Sequence, residues 1–393
     1  MHVSLRHPLE AQEAELLASL ATIENCAYVI DTRRLERNMR RIAAIREKTG
    51  CTILLALKAF AVFSLFARMR GYLQGVTASS LNEARLGREE FGGQIHLYAP
   101  AYVPGEFAEL CELADYITFN SFEQNARFGP VLARAGRKIH AGIRINPGHS
   151  ENTVPMYDSC AEHSRFGATT SEFHSHSMDG ISGLHVHALC AQNADALERL
   201  VAKMEKTFPR QLEQVQWLNL GGGHLLAEDD YDSELLCSLV CGLKAKYGLD
   251  VILEPGEGAV HGAGYLVATV LEINFNGMPI AILDASAINH VPSLIEHFQP
   301  LDIVGGGSPG TYPWLCRLAG STCLSGDLFG DYSFPEPLKP GDRIVVRDMA
   351  HYTMVRNTMF NGLRLPSVYA FSSEDGLQCL RTYEYSDYKG RLP

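Results

Sequence analysis

No apolar run in this 393-residue chain approaches the length that carries a helix across a membrane, which argues against a helical membrane protein. A CxxC pair is also missing. The ten cysteines are scattered, and the nearest two, Cys237 and Cys241, suit one helix face rather than a zinc knuckle. Reduced thiols in a cytoplasmic protein are the simplest reading. The first residues, MHVSLRHPLEAQEAELLASL, break their short apolar stretches with charge, so no secretory leader is expected. Positive charge is in deficit: 34 Lys and Arg against 45 Asp and Glu leave a formal net charge of −11. That balance argues against nucleic acid or an anionic membrane as partner and is compatible with a cationic small molecule. No GxGxxG opens a first helix, and neither repeats nor a low-complexity linker are visible.

The chain has the composition of a soluble globular protein, 46% hydrophobic and 20% charged, and is too long for one ordinary core, so two domains are expected. Between residues 32 and 264, short apolar strands alternate with amphipathic segments. The strand candidates are Ile53–Leu57, Gly75–Ala78, Ile95–Tyr98, Tyr116–Phe119, His140–Ile145, Gly183–Val186, Trp217–Leu220 and Val251–Leu253. Eight such strands with helices between them predict an α/β fold, a (β/α)8 barrel of the TIM type, with a doubly wound open sheet as runner-up. Beyond residue 264, Tyr265–Ile273, Pro279–Leu283, Arg343–Val346 and Leu377–Tyr383 are strand-like and separated by Gly/Pro turns. They predict a β domain of residues 265–393 joined by residues 1–31, where Ala27–Ile30 can supply a strand.

Chemistry-bearing residues cluster at the C-terminal ends of the barrel strands, where barrel enzymes hold their active sites. Lys58 follows the run Ile53–Leu57, Arg144 and Asn146 end another strand, and His185 ends a third. Burial would favour the neutral amine of Lys58, a nucleophile able to form a Schiff base; a solvent-facing or carboxylate-paired lysine is the alternative. Gly221, Gly222 and Gly223 make either a tight turn or a backbone cradle for phosphate. A phosphate cradle beside such a lysine points to pyridoxal 5′-phosphate. Glu254 could pair with the pyridine nitrogen or cap a helix ahead of Pro255. His185 and His187 share a strand face; ring stacking or substrate contact ranks ahead of a structural role, and metal binding last. In the β region, the small-residue loop 320–327 holds Cys323, a candidate proton donor, and Asp327. Met349-Ala350-His351-Tyr352-Thr353 and Phe360-Asn361-Gly362 form a second polar stretch.

Together ALKAF at 56–60, GLHVHALC at 183–190, LGGGH at 220–224, EPGE at 254–257, TCLSGD at 322–327 and MAHYT at 349–353 resemble the fold-type III pyridoxal-phosphate decarboxylases. That family includes ornithine and diaminopimelate decarboxylases, and the similarity is greatest to its carboxynorspermidine/carboxyspermidine branch. The resemblance implies that Lys58 carries the cofactor aldehyde, His185 stacks on the ring, Glu254 pairs with its nitrogen, and the three glycines, with Tyr352, bind phosphate. Arg144 joins the cofactor-binding group. Cys323 would return a proton to the α-carbon after CO2 leaves, from the partner subunit of a homodimer.

Three departures bear on specificity. Glu257 stands where the ornithine branch has arginine, and is a candidate for a substrate amine. HVHA replaces HVGS, so part of the phosphate cradle must differ. His290-Val291-Pro292-Ser293 replaces HMPD, so Ser293 cannot grip an amine as a charge. With Asp327 and Cys323, Glu257 and Ser293 complete the expected substrate-binding set. The activity expected is decarboxylation of a carboxylated polyamine to the polyamine and CO2. The alternatives are another basic amino acid (diaminopimelate, ornithine or a siderophore intermediate), a silent pyridoxal-phosphate-binding regulator, or a racemase.

Overall fold

The computed structural model describes residues 11–296 and 299–393. It divides into two compact units, one of Glu36–Ala259 and one of the residues up to Leu35 with Val260–Pro393. Strand β1 (Ala27–Asp31) belongs to the second unit. The first unit is a closed barrel of eight strands: β2 (Thr52–Ala56), β3 (Gly75–Ala78), β4 (Gln94–Tyr98), β5 (Tyr116–Phe119), β6 (His140–Arg144), β7 (Gly183–His185), β8 (Trp217–Asn219) and β9 (Asp250–Leu253). All neighbours run parallel, and β9 closes on β2 through Thr52↔Ile252 and Ile53↔Leu253. The predicted barrel is therefore present, each strand within two residues of its expected ends.

Local sequence sets the elements. The strands are short and apolar because helices cover one face and barrel side chains fill the other. Ser80, Ser121, Asn193 and Asp232 each accept a backbone N–H at the start of the following helix, so polar caps end the loops and begin the outer layer. The N-terminal strand ends meet around Trp217. A Cβ at Gly183 would lie 1.9 Å from its ring and one at Gly142 2.2 Å, so only glycine leaves room for the indole. Tyr116 packs edge-on against Trp217 and stacks between His96 (centroids 4.0 Å) and His140 (4.6 Å). That end is filled, and chemistry is left to the other.

The second unit holds one eight-stranded sheet. After β1 come β10 (Gly264–Phe275), β11 (Pro279–Leu283), β12 (Trp314–Ala319), β13 (Leu328–Phe334), β14 (Arg343–Arg347), β15 (Ser367–Ser372) and β16 (Gly376–Arg381). The order is β13-β12-β11-β10-β1-β15-β16, with β14 also on β10. β1 pairs antiparallel with β10 and parallel with β15. Strands β12, β13 and β15 were not expected from sequence. β12 and β13 are only partly buried, and Arg317, Gly330 and Asp331 put charge or glycine among their apolar residues. Among the described residues, no helix is long and apolar enough to cross a membrane.

Buried histidines give the fold an acid limit. Burial lowers the pKa of His96 from the ordinary 6.5 to about 3, and those of His224 and His290 to about 4. Below pH 6.5 the unfolded chain takes up protons that the folded one refuses, so stability is retained above that pH and lost beneath it. Each such histidine contributes a slope of about 1.4 kcal/mol per pH unit between its two values. The melting temperature should fall steadily from pH 7 to pH 5. His96→Phe, which keeps a ring against Tyr116, should flatten that fall by about one proton in the linkage. An unchanged slope in the variant would remove His96 from the account.

Candidate active site

At the C-terminal end of the barrel, a cavity of about 320 Å³ is lined by Lys58, Arg144, His185, His187, Gly222 and Glu254, among others. Lys58 lies not in β2 but two residues past its end. There Ala59 N–H donates to the Ala56 carbonyl (3.0 Å), and this tight turn presents the lysine to the cavity. The residue has exposed surface where it lines the cavity, while the surrounding protein desolvates its amine. That burial lowers its pKa; the charge of Glu254 opposes the shift and that of Arg144 adds to it.

Glu254 follows β9 directly and is buried. Burial raises its pKa, against opposing contributions from Asn219, Lys58, Thr77 and Arg144. Asn219, the last residue of β8, donates from Nδ2 to Glu254 Oε1 (2.7 Å) and accepts the Gly221 N–H at Oδ1 (2.8 Å). One amide thus locks the carboxylate and the glycine turn together. Sequence reasoning passed over Asn219, because an asparagine ending a strand carries no signal of its own.

The two histidines divide the site. His185 Nε2 lies 3.7 Å from Glu254 Oε2. Both its ring nitrogens are buried without a hydrogen-bond partner among the described residues. Burial, then Arg144 and Lys58, hold its pKa well below the usual value, so the ring is neutral. Nδ1 of His187 accepts the Gly222 N–H (3.1 Å), which leaves the proton on Nε2, 3.4 Å from Lys58 Nζ. His187 is therefore the histidine in contact with the lysine, while His185 lies beside Glu254. The guanidinium of Arg144 lies between the rings of Tyr98 (4.7 Å) and Phe166 (4.6 Å) and donates to the His187 carbonyl (2.9 Å).

The glycine loop is more constrained than a phosphate cradle requires. Gly221 and Gly223 have φ of 71° and 86°, and a Cβ at Gly222 would come 2.3 Å from the Glu254 carbonyl. Side chains are therefore barred, but the N–H groups of Gly221 and Gly222 already serve Asn219 and His187.

The barrel thus brings together Lys58, Arg144, His185, the glycine loop and Glu254. Glu257, half-buried, begins the helix Glu257–Val260 and is not among the cavity-lining residues. Ser293, Cys323, Asp327 and Tyr352 belong to the sheet unit. Ser293 begins the short helix Ser293–Glu296, Cys323 is exposed, and Tyr352 has a left-handed φ of 49°. Asp327 is buried, and its carboxylate accepts from Ser286 Oγ, Ile288 N–H and both the N–H and hydroxyl of Thr322. These bonds close its own loop.

Residues 27–350 match the family model described as pyridoxal-dependent decarboxylase, C-terminal sheet domain. The carboxyaminopropylagmatine decarboxylase of Synechocystis sp. is 36% identical over 375 residues, covering 95% of this chain and 96% of the relative. The carboxynorspermidine/carboxyspermidine decarboxylase of Campylobacter jejuni is 36% identical over 380 residues, covering 94% and 98%. The crystal structure of carboxynorspermidine decarboxylase from C. jejuni, complexed with norspermidine, matches with a TM-score of 0.88, covering 94% of this chain and all of that one. The cavity fits the group this family uses. It offers an amine of lowered proton affinity, a buried carboxylate, and a neutral histidine whose buried nitrogens lack partners.

Proposed function

The chain belongs to the pyridoxal-dependent decarboxylases, and we propose that it decarboxylates an α-amino acid with a long aminoalkyl arm, releasing a polyamine and CO2. Carboxynorspermidine and carboxyspermidine are the leading substrates. Carboxyaminopropylagmatine, the compound in the name of the Synechocystis relative, belongs to the same chemical class. The observation that carries the reading is Lys58, its proton affinity lowered by burial, in one cavity with the buried Glu254.

Pyridoxal 5′-phosphate, when bound, supplies an aldehyde that exchanges between amines and a ring that accepts the electron pair left when CO2 departs. The protein's part is to place charges and protons. Lys58 would hold the cofactor through its aldehyde, its amine made more nucleophilic by the lowered proton affinity. Glu254, oriented by Asn219, would pair with the ring nitrogen and favour its protonated form. His187 packs beside Lys58, while His185 fills the space next to Glu254, which excludes water from the carboxylate. The glycine loop, Arg144 and Tyr352 are assigned to holding the cofactor. Cys323 Sγ gives its proton to the α-carbon, and solvent reprotonates the thiolate.

Glu257 is assigned to a substrate ammonium, and Ser293 to the substrate-binding set as an uncharged group. We further infer a cytoplasmic homodimer. The ten cysteines, all unpaired, suit a reducing compartment.

Two experiments test these assignments. In a panel measuring CO2 release, carboxylated triamines should be preferred over diaminopimelate, whose distal end carries a repelled carboxylate. Glu257→Gln should raise KM for the triamine by about tenfold, as expected for losing a charge-assisted hydrogen bond. A preference for diaminopimelate would overturn the substrate assignment. In the second test, inactive Lys58→Ala and Cys323→Ala proteins are mixed. Subunit exchange should restore activity, since some mixed dimers then carry one site with both residues intact. No recovery after proven exchange would place both residues in one subunit's site.

A further inference from the structure

The FNG turn is the one sequence motif that the proposed chemistry leaves without a task. Phe360, Asn361 and Gly362 form a single 3-10 turn in which Asn361 adopts φ 57° and ψ 15°. In that left-handed conformation its side-chain Oδ1 accepts the N–H of Cys323 at 2.8 Å. The bond is long-range in sequence and reaches the residue whose thiol matters.

The turn is itself anchored. Asn289, fully buried, donates from Nδ2 to the Phe360 carbonyl (3.1 Å), and its Oδ1 accepts from Thr358 (2.8 Å). The Asn289 N–H in turn donates to Ser286 Oγ (3.2 Å), and that hydroxyl donates to Asp327 Oδ1 (3.0 Å). Asp327 closes the base of the Cys323 loop through Thr322. The loop is therefore held twice by one buried polar network: at its base by Asp327, and at its tip by Asn361. Cys323 and Asn361 are both exposed, so a thiol on an untethered surface loop would sample many positions.

We propose that Asn361 is a positioning residue for the Cys323 thiol, fixing the backbone at Cys323 so that proton delivery to the α-carbon is directed rather than random. Asparagine suits the position on two counts. It tolerates the left-handed region, and its side chain carries an acceptor at the right reach. Glycine satisfies only the first, alanine neither, and aspartate both. The inference rests on Cys323 being the proton donor, and its test separates the two ideas.

The test compares Asn361→Gly, Asn361→Asp and Cys323→Ala in the full-length holoenzyme, with two readouts. The first is hydrogen exchange at the Cys323 amide, measured also without cofactor. The second is the fraction of turnovers in which the proton reaches the cofactor instead of the α-carbon, giving an aldehyde and the aminated cofactor. Asn361→Gly should speed exchange at Cys323 several-fold, raise the misdirected fraction several-fold, and lower kcat with KM unchanged. Asn361→Asp, which retains the acceptor, should stay close to the parent protein in both readouts. Unchanged exchange in Asn361→Gly would show that the tether does not hold the loop. Faster exchange with an unaltered misdirected fraction, while Cys323→Ala raises it, would overturn the positioning role and leave the donor in place. If Cys323→Ala itself leaves that fraction unaltered, the donor assignment falls and the proposal with it.

Discussion

Taking a lysine and a glutamate out of water into one cavity is the constraint on which the barrel's chemistry depends. Each ion loses hydration that costs several kcal/mol to replace, and the attraction between them recovers only part of it. Both groups accordingly shift toward their neutral forms: Lys58 loses proton affinity and Glu254 gains it. That imbalance raises the share of neutral, nucleophilic amine on Lys58 and gives the glutamate a use for any proton-bearing ring nitrogen placed beside it. A surface pair would be screened and inert.

The barrel supplies the means to sustain this arrangement. Parallel strands with all backbone groups paired hold their ends rigidly, so residues just beyond β2, β8 and β9 face one another without spending loop entropy. Asn219 couples Glu254 to the glycine turn, and the turn in turn fixes the tautomer of His187 against Lys58. At the opposite end Trp217, Tyr116, His96 and His140 fill the interior. Stability is gathered at one end and desolvated charge at the other. The same burial that makes His96 a neutral stacking ring also sets the acid limit of the fold.

Much of this was legible in the chain itself. The barrel strands stand out because both their faces are apolar, and their C-terminal ends place Lys58, Arg144, His185 and Glu254 around one cavity. The sheet unit was harder to read. Strands such as Trp314–Ala319 and Leu328–Phe334 are buried only in part, and charge or glycine falls among their apolar residues. Within the site, the misses share a cause. That a single N–H from Gly222 orients His187 beside the lysine has no sign in the sequence. Asn219 and Asn361 act through side-chain hydrogen bonds to distant backbone or carboxylate groups, which no spacing announces. The four internal donors that hold Asp327 are likewise invisible in the sequence.

The most direct measurement is the titration of Lys58 in the cofactor-free protein, followed by the pH dependence of its acetylation in the Lys58 peptide. The desolvation account predicts a midpoint below the ordinary lysine value of 10.5, and a lower one still in Glu254→Gln, where the opposing charge is gone. A midpoint at or above 10.5, or one indifferent to Glu254→Gln, would contradict it.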